Sequence, residues 1–226
     1  MGSAPELAPY LEKLSIDEIR KTITSKPEVK DAYDPKLKID KFYVNGADLE
    51  ARAQMIDQFK PDITLDIHFD AANTGALQST TQSLEAFVPG AFGKTETGAR
   101  KSKAYALEHA LEVRRWNQSV ELADVMTQSM STALNIPRLS QPKFLSSVRV
   151  RDGVYARNLY ITRRALDSLV VYLECLHYDH VKEHKALSIT DRTGKYRGME
   201  FKYPKRLDTI SESISNGLIE YFKNLK

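Results

Sequence analysis

The sequence predicts an α/β fold in which a mainly parallel or mixed sheet carries helices on both faces. Residues 63–69 and 169–173 are apolar runs rich in β-branched side chains, the pattern of strands that are buried on both faces. Helical periodicity appears between and after these runs, over residues 47–59, 104–134 and 210–222. Strands that alternate with helices are typical of a sheet covered by helices.

Composition supports one globular domain and argues against several classes of partner. The chain has 226 residues, of which 42% are hydrophobic and 28% are charged, so it can bury a core. The formal net charge of +3 is too small to attract a polyanion, and we expect no nucleic-acid partner. The sequence has no apolar run of about eighteen residues, so we expect no membrane span.

The pattern divides the chain near residue 41. Residues 1–41 combine short helical stretches with a segment rich in Lys, Asp and Pro, which predicts an appendage and linker. Residues 42–226 predict the main domain. Within it, residues 42–44 and 83–88 predict further strands, and residues 93–103 predict a mobile loop before the long helix.

Two residues stand where reactive groups collect in an α/β sheet, at the carboxyl ends of strands. His68 ends one apolar run between Asp66 and Asp70, and Glu174 ends the other. An imidazole there can bind zinc while a neighbouring carboxylate holds its second nitrogen, or it can be a hydrogen-bonded structural histidine. A carboxylate that follows five apolar residues is costly to bury unless a metal, a cation or several donors compensate, which favours a functional Glu174.

Other chemically active side chains have weaker support. Cys175 is adjacent to Glu174, but neighbouring strand residues point to opposite faces, so a small core residue is the favoured interpretation over a nucleophile. His180 and His184 have metal-helix spacing, but Val181 stands where a zinc-protease helix has its glutamate. A basic cluster is either a solvated surface or a docking surface; it comprises Arg149, Arg151, Arg157, Arg163 and Arg164.

Several segments together resemble the catalytic domain of zinc-dependent N-acetylmuramoyl-L-alanine amidases. Residues 65–71 resemble the strand end at which that family's histidine, preceded by isoleucine, binds zinc. Residues 169–174 resemble the segment that ends in the family's catalytic glutamate. The remaining matching pieces cover the helices and strands around them, at residues 47–62, 83–88, 119–134, 151–162 and 210–222.

The resemblance implies a peptidoglycan hydrolase that cuts the amide bond between N-acetylmuramic acid and L-alanine of the stem peptide. It implies Zn²⁺ as cofactor, His68 as a metal ligand, Glu174 as the catalytic carboxylate, and peptidoglycan or a muropeptide as substrate. It also implies a periplasmic or extracellular location, and a protein activator that acts on residues 90–115, where such amidases carry a regulatory insertion.

The family's first zinc histidine and its zinc glutamate have no counterpart in residues 1–41, because no histidine precedes His68. We therefore expect the chain to be a fragment or an incompletely represented protein. Three alternatives stay open: a metal-free cell-wall-binding or degenerate amidase-like module, another α/β zinc hydrolase that acts on a small amide or peptide, and an interaction protein that docks through the basic cluster and the helix over residues 104–134.

Overall fold

The computed structural model describes residues 49–72, 79–90, 115–143, 147–157, 159–165 and 167–225. The chain divides into two compact units, residues 1–55 and 56–226, and most of the described residues belong to the second. None of the helices in these ranges is both long enough and apolar enough to cross a bilayer. The predicted appendage over residues 1–41, the strand over 42–44 and the loop over 93–103 lie outside the described residues.

The first half of the described chain holds two helices and two strands. Their bounds are α1 Leu49–Phe59, β1 Ile63–Asp70, β2 Glu85–Pro89 and α2 Arg115–Leu134. Helix α1 ends where Lys60 adopts a left-handed φ of 48° and its amide donates to the carbonyl of Ile56. Pro61 then directs the chain into β1.

The second half adds two short hairpins, the longest strand and three further helices. The bounds are β3 Val148–Arg151, β4 Val154–Arg157, α3 Tyr160–Arg164, β5 Leu169–His177, α4 Val181–Ser188, β6 Arg192–Tyr196, β7 Met199–Tyr203 and α5 Lys205–Asn224. Strands β6 and β7 pair only with each other and form a second, two-stranded sheet. Helix α4 is joined to α5 by two hydrogen bonds from Arg206 to the carboxylate of Glu183, at 2.7 and 2.8 Å.

The main sheet has five strands in the order β1-β5-β2-β4-β3. Strand β5 runs parallel to β1 and antiparallel to β2, while β2 runs parallel to β4. The sheet is therefore mixed and flanked by helices, which confirms the predicted fold class. Strand order places β5 in the interior, and this explains why its sequence is the most apolar of the strands.

One face of the sheet carries the hydrophobic core, and helices α2 and α5 cover it. Alternate residues of the strands reach this face, including Ala86, Val171 and Leu173, and each is at most 1% exposed. Helix α2 contributes Leu122, Met126 and Met130 at helical spacing. Because the apolar side chains alternate, the intervening residues of the same strands lie on the opposite face of the sheet.

The sequence did not predict the hairpin of β3 and β4, helix α4, or the ribbon of β6 and β7. Each of these elements is short, and most residues of β3, β6 and β7 are exposed, so these strands lack the continuous apolar runs by which the buried strands were predicted. The long helical pattern over residues 104–134 is described from Arg115 onward, where it forms α2.

Candidate functional site

Three ionisable side chains form a row across the face of the sheet opposite the core. Cα register pairs His68 of β1 with Glu174 of β5, and pairs Glu174 in turn with Glu85 of β2. Neighbouring strands are about 4.8 Å apart and directly paired residues point to the same face. The register therefore brings the imidazole and two carboxylates together, although they are separated by up to 106 residues in sequence.

Contacts from its own strand and from β5 fix the orientation of the His68 ring. Its Nε2 atom lies 3.0 Å from Oδ1 of Asp66, two residues earlier on the same face. The ring stacks on Tyr172, with 4.3 Å between centroids and 16° between planes. The His68 side chain is 41% exposed, so it reaches solvent from this fixed position. A carboxylate that holds one nitrogen of an imidazole is the arrangement that orients histidine ligands in metal sites.

The two glutamates are difficult to ionise where they lie. Burial raises the pKa of Glu174 to about 7, and the nearby carboxylate of Asp70 adds to this shift. Burial likewise raises the pKa of Glu85 to about 7, with contributions from Asp70 and Glu174. The Oε2 atoms of Glu85 and Glu174 are buried and have no hydrogen-bond partner among the described residues. Two such carboxylates at one place indicate a site that holds a proton or a cation near neutral pH.

One lysine partly balances the negative charge of this cluster. Lys143 forms an ion pair with Asp70 at the end of β1, and its Nζ also donates to the carbonyl of Ala71 at 2.5 Å. Its charge lowers the pKa values of both Glu85 and Glu174, but less than burial raises them. The acidic cluster therefore has one lysine beside it, which offsets part of its negative charge.

The donors suit a divalent metal in kind, but the described residues do not complete a metal site. Imidazole and carboxylate are both zinc ligands, and a cation would offset the cost of burying the oxygen atoms without partners on Glu85 and Glu174. Within the part of the chain that the structure describes, no three His, Cys, Asp or Glu side chains are grouped to hold a metal ion. A zinc ion at His68 would therefore need further ligands from outside the described ranges.

The other histidines and the cysteine have structural environments. The Cys175 thiol is fully buried in the core on the opposite face from Glu174, and burial raises its pKa to about 12, which leaves it unreactive. The His177 amide donates to Gln82 at 2.7 Å and its Nδ1 lies 3.1 Å from the Thr81 carbonyl, so it fastens the segment before β2. His180 precedes α4 and His184 is exposed.

Part of the basic cluster is neutralised within the molecule. Arg149 forms an ion pair with Asp152, and Arg151 donates to Asp124 at 2.8 Å. The guanidinium of Arg157 lies 5.4 Å from the centre of the Phe87 ring. The side chains of Arg163 and Arg164 lie outside what the structure describes. The ion pairs of Arg149 and Arg151 within the molecule favour the interpretation of the basic cluster as a solvated surface. That the cluster docks a partner stays a prediction.

Sequence reasoning missed Glu85, Tyr172 and Lys143. Glu85 sits inside an apolar run at residues 83–88, and its only signal was a charged residue at the centre of a predicted buried strand. Its neighbour across the sheet, Glu174, is 89 positions later, so no local pattern could join them. Lys143 and Tyr172 are likewise brought to the site by strand pairing and a distant loop.

We expect Glu85→Gln to stabilise the protein above neutral pH. The pKa of Glu85 in the folded state, about 7, exceeds its ordinary value of 4.5, so between these values the folded form retains a proton that the unfolded form has released. Stability from this group is complete below about pH 4.5 and is lost as the pH rises through about 7. Glutamine does not ionise, so Glu85→Gln avoids this loss. Its free energy of unfolding in urea at pH 8 should exceed that of wild type by about 2 kcal/mol.

The same comparison at pH 5 provides the internal control, because the difference between Glu85→Gln and wild type should shrink there to less than about half. Both series would be run with a chelator present, and with Glu212→Gln on the exposed side of α5 as the matched variant. An equal difference at both pH values would show that Glu85 is not held with a raised pKa.

No family model and no curated protein matches this chain, but solved structures do. An N-acetylmuramoyl-L-alanine amidase from Clostridium difficile 630 is 14% identical, covers 92% of this chain and 79% of its own, and gives a TM-score of 0.45. The CwlD amidase from Clostridioides difficile, solved with the GerS lipoprotein, is 15% identical, with 91% and 81% covered and a TM-score of 0.48.

An N-acetylmuramyl-L-alanine amidase from Mycobacterium smegmatis is 14% identical, with 78% of this chain and 61% of that chain covered and a TM-score of 0.47. TM-scores below 0.5 at these identities leave the activity of this chain to be established from its own residues. These three solved structures, to which the chain is similar, are N-acetylmuramoyl-L-alanine amidases.

Proposed function

We propose that this chain is the catalytic part of a zinc-dependent peptidoglycan hydrolase that cleaves the amide bond between N-acetylmuramic acid and L-alanine. The observation that carries the proposal is the row of His68, Glu174 and Glu85 on one face of the sheet. The two residues that resemble the amidase family's zinc histidine and catalytic glutamate are direct neighbours in that row. Their placement supports a single hydrolytic centre.

The substrate class comes from the resemblance over residues 65–71 and 169–174. Residues 65–70 lie in β1 and residues 169–174 in β5, where the two strands pair side by side at the row, so the resembling residues and the clustered carboxylates coincide. The sequence placed His68 and Glu174 at the carboxyl ends of their strands, but β1 continues to Asp70 and β5 to His177. The site is acidic and largely polar, which suits a water-dependent cleavage of a polar amide better than binding of an apolar ligand. Peptidoglycan or a muropeptide is the proposed substrate.

Glu174 has the properties of a general base. A carboxylate with a pKa of about 7 can accept a proton from an attacking water near neutral pH and then deliver it to the leaving amine of L-alanine. Asp66 and Tyr172 hold the imidazole of His68 in one orientation. His68 would be one zinc ligand, with the others outside the described ranges. When bound, zinc supplies a lowered pKa for water and charge stabilisation for the oxyanion.

We also propose the location and the regulation that follow from this activity. Hydrolysis of peptidoglycan requires access to the cell wall, which places the protein in the periplasm or outside the cell. By the resemblance, residues 90–115 correspond in sequence order to the amidase family's regulatory insertion, and a protein activator that acts on them is the corresponding proposal. Deletion of residues 93–103 that leaves the rate unchanged would count against such regulation.

The decisive assay incubates the full chain with zinc and purified peptidoglycan, and analyses the soluble products by mass spectrometry. The proposal expects stem peptides with free N-terminal L-alanine and uncut glycan chains whose muramic acid residues carry free lactyl carboxylates. Cleavage of N-acylated amino acids with no release from peptidoglycan would favour a different zinc hydrolase. Binding to peptidoglycan with no cleavage and no metal would favour the binding-module alternative.

We expect His68→Ala to reduce zinc affinity at least about tenfold, because removal of one ligand from a small set weakens the whole site. Zinc retained after dialysis against graded chelator concentrations, measured by elemental analysis, provides the readout without reference to activity. His184→Ala, an exposed histidine on α4, is the matched control and should retain zinc like wild type. Equal zinc retention by both variants would remove His68 from the metal site.

A further inference from the structure

The ribbon of β6 and β7 has two chemically different faces. Its register pairs Tyr196 with Met199 and Gly194 with Phe201, so three large apolar side chains share one face. The other face carries Thr193, Lys195, Glu200 and Lys202. Alternation of this kind is normally the mark of a strand with one buried face. In this ribbon the apolar face is exposed.

The exposure of these three side chains is large and continuous. Met199 is 66% exposed, Tyr196 is 58% and Phe201 is 47%. The Phe201 ring lies across Gly194, where an added Cβ would come within 2.7 Å of its Cζ atom, so the ring covers the ribbon and presents its outer side to solvent. Single exposed apolar residues need no explanation, but an adjacent group on one face of a small sheet indicates an interaction surface.

The segment that carries this apolar face has a net positive charge. Residues 191–205 contain five lysines and arginines against two acidic residues. Arg197 occupies the turn between the strands, with its guanidinium 5.4 Å from the centre of the Tyr196 ring. Lys195 and Lys202 flank the apolar side chains from the opposite face of the ribbon. The rest of the chain is nearly balanced, so this segment holds a charge equal to the whole net charge of +3.

We propose that this ribbon is a peripheral docking element for an anionic lipid bilayer. The side chains of Tyr196, Met199 and Phe201 enter the headgroup region, where aromatic residues are favoured. Arg197, in the turn beside Tyr196, reaches the lipid phosphates, and a cation near the surface raises the affinity about fivefold. Lys195 and Lys202, on the opposite face, add a longer-range attraction. An apolar face on a segment of net positive charge is a pattern that an anionic bilayer complements.

A polysaccharide would require a different surface. Sugar rings stack on flat aromatic platforms, but the Phe201 and Tyr203 rings are inclined by 40° to each other. The most exposed of the three apolar side chains is Met199, which offers no ring at all. A fluid bilayer does not require the inserted side chains to share one plane, so the ribbon suits lipid better than glycan. This inference is independent of the proposed catalysis.

The test is sedimentation of the full chain with lipid vesicles. Wild type should bind vesicles that contain roughly a third of phosphatidylglycerol in phosphatidylcholine, fail to bind pure phosphatidylcholine, and lose affinity as salt is raised. Arg197→Gln should reduce the partition coefficient about fivefold, as one cation near the surface. Met199→Ser with Phe201→Ser should reduce it at least about tenfold.

A matched double variant, Ile219→Ser with Phe222→Ser on α5, removes apolar side chains that are 52% and 47% exposed and should bind like wild type. Met199→Ser alone, with its melting temperature, separates lost binding from a disturbed ribbon. Absence of binding to the anionic vesicles, or an equal loss in the α5 variant, would overturn the proposal. Binding to purified peptidoglycan that depends on the ribbon, with no vesicle binding, would also overturn it and assign the surface to polysaccharide.

Discussion

Glu174→Gln is expected to reduce hydrolysis of the muramoyl amide by about 10²–10⁴-fold, the range that a positioned general base contributes. Glutamine has nearly the same volume and keeps two polar atoms in the same place, but it cannot accept the proton of the attacking water. Binding of the substrate should change little, so the loss should appear in kcat with KM nearly unchanged. Release of stem peptides, followed over time at fixed zinc, provides the measurement.

The fold of Glu174→Gln should remain intact, because the change removes a buried negative charge whose Oε2 atom has no hydrogen-bond partner among the described residues. Its melting temperature above neutral pH should equal or exceed that of wild type. Glu212→Gln makes the same chemical change at an exposed position of α5 and should leave kcat unaltered. Unchanged stem-peptide release by Glu174→Gln would refute its role as the base.

Local pattern was sufficient to identify two of the three residues in the row. Asp66, His68 and Asp70 alternate at the end of an apolar run, so their common face follows from the period of a strand. Glu174 stood out because an ionisable side chain closes five apolar residues, which signals a compensated burial. The local pattern could not identify the neighbours of Glu174 on other strands. Strand pairing supplies them, because β5 lies between β1 and β2 and places Glu174 between His68 and Glu85.

The order of the strands could not be predicted from the sequence, for a physical reason. Pairing of β2 with β5 joins residues 85–87 to 172–174 in an antiparallel sense, although strands that alternate with helices predict parallel neighbours. Parallel and antiparallel strands show the same side-chain alternation, because alternation depends on which face of the strand is buried and not on the direction of the neighbouring strand. The position of Glu85 beside Glu174 therefore depends on tertiary packing alone.

The contact that fixes the helical layer beneath the row is the approach of α5 to α2 at Gly217. A Cβ atom at Gly217 would lie 2.9 Å from the Cα of Met126 and 3.3 Å from its Cγ. The Cα of Met126 belongs to the backbone of α2, so it cannot rotate away as a flexible side chain could. One turn earlier in α5, the Ser213 carbonyl accepts a hydrogen bond from Ser129 of α2 at 3.0 Å, which holds the helices at this spacing.

Gly217→Val should therefore lower the free energy of unfolding by about 3 kcal/mol, the upper part of the range for overpacked cores. For a chain of this length, the melting temperature should fall by about 6–12 °C. Thermal unfolding followed by circular dichroism checks both values. Asn216→Val places the same β-branched side chain at the preceding, exposed position of α5, and its cost should be only about 0.5 kcal/mol.

Equal melting temperatures for Gly217→Val and Asn216→Val would mean that α5 and α2 are not in close contact at Gly217. The expected difference also reaches the row of His68, Glu174 and Glu85, because α2 packs on the core face of β2 and β5. A shift of α2 would disturb the register that sets Glu85 opposite Glu174. Gly217→Val should then lose stem-peptide release at temperatures below its melting transition, whereas Asn216→Val should retain it.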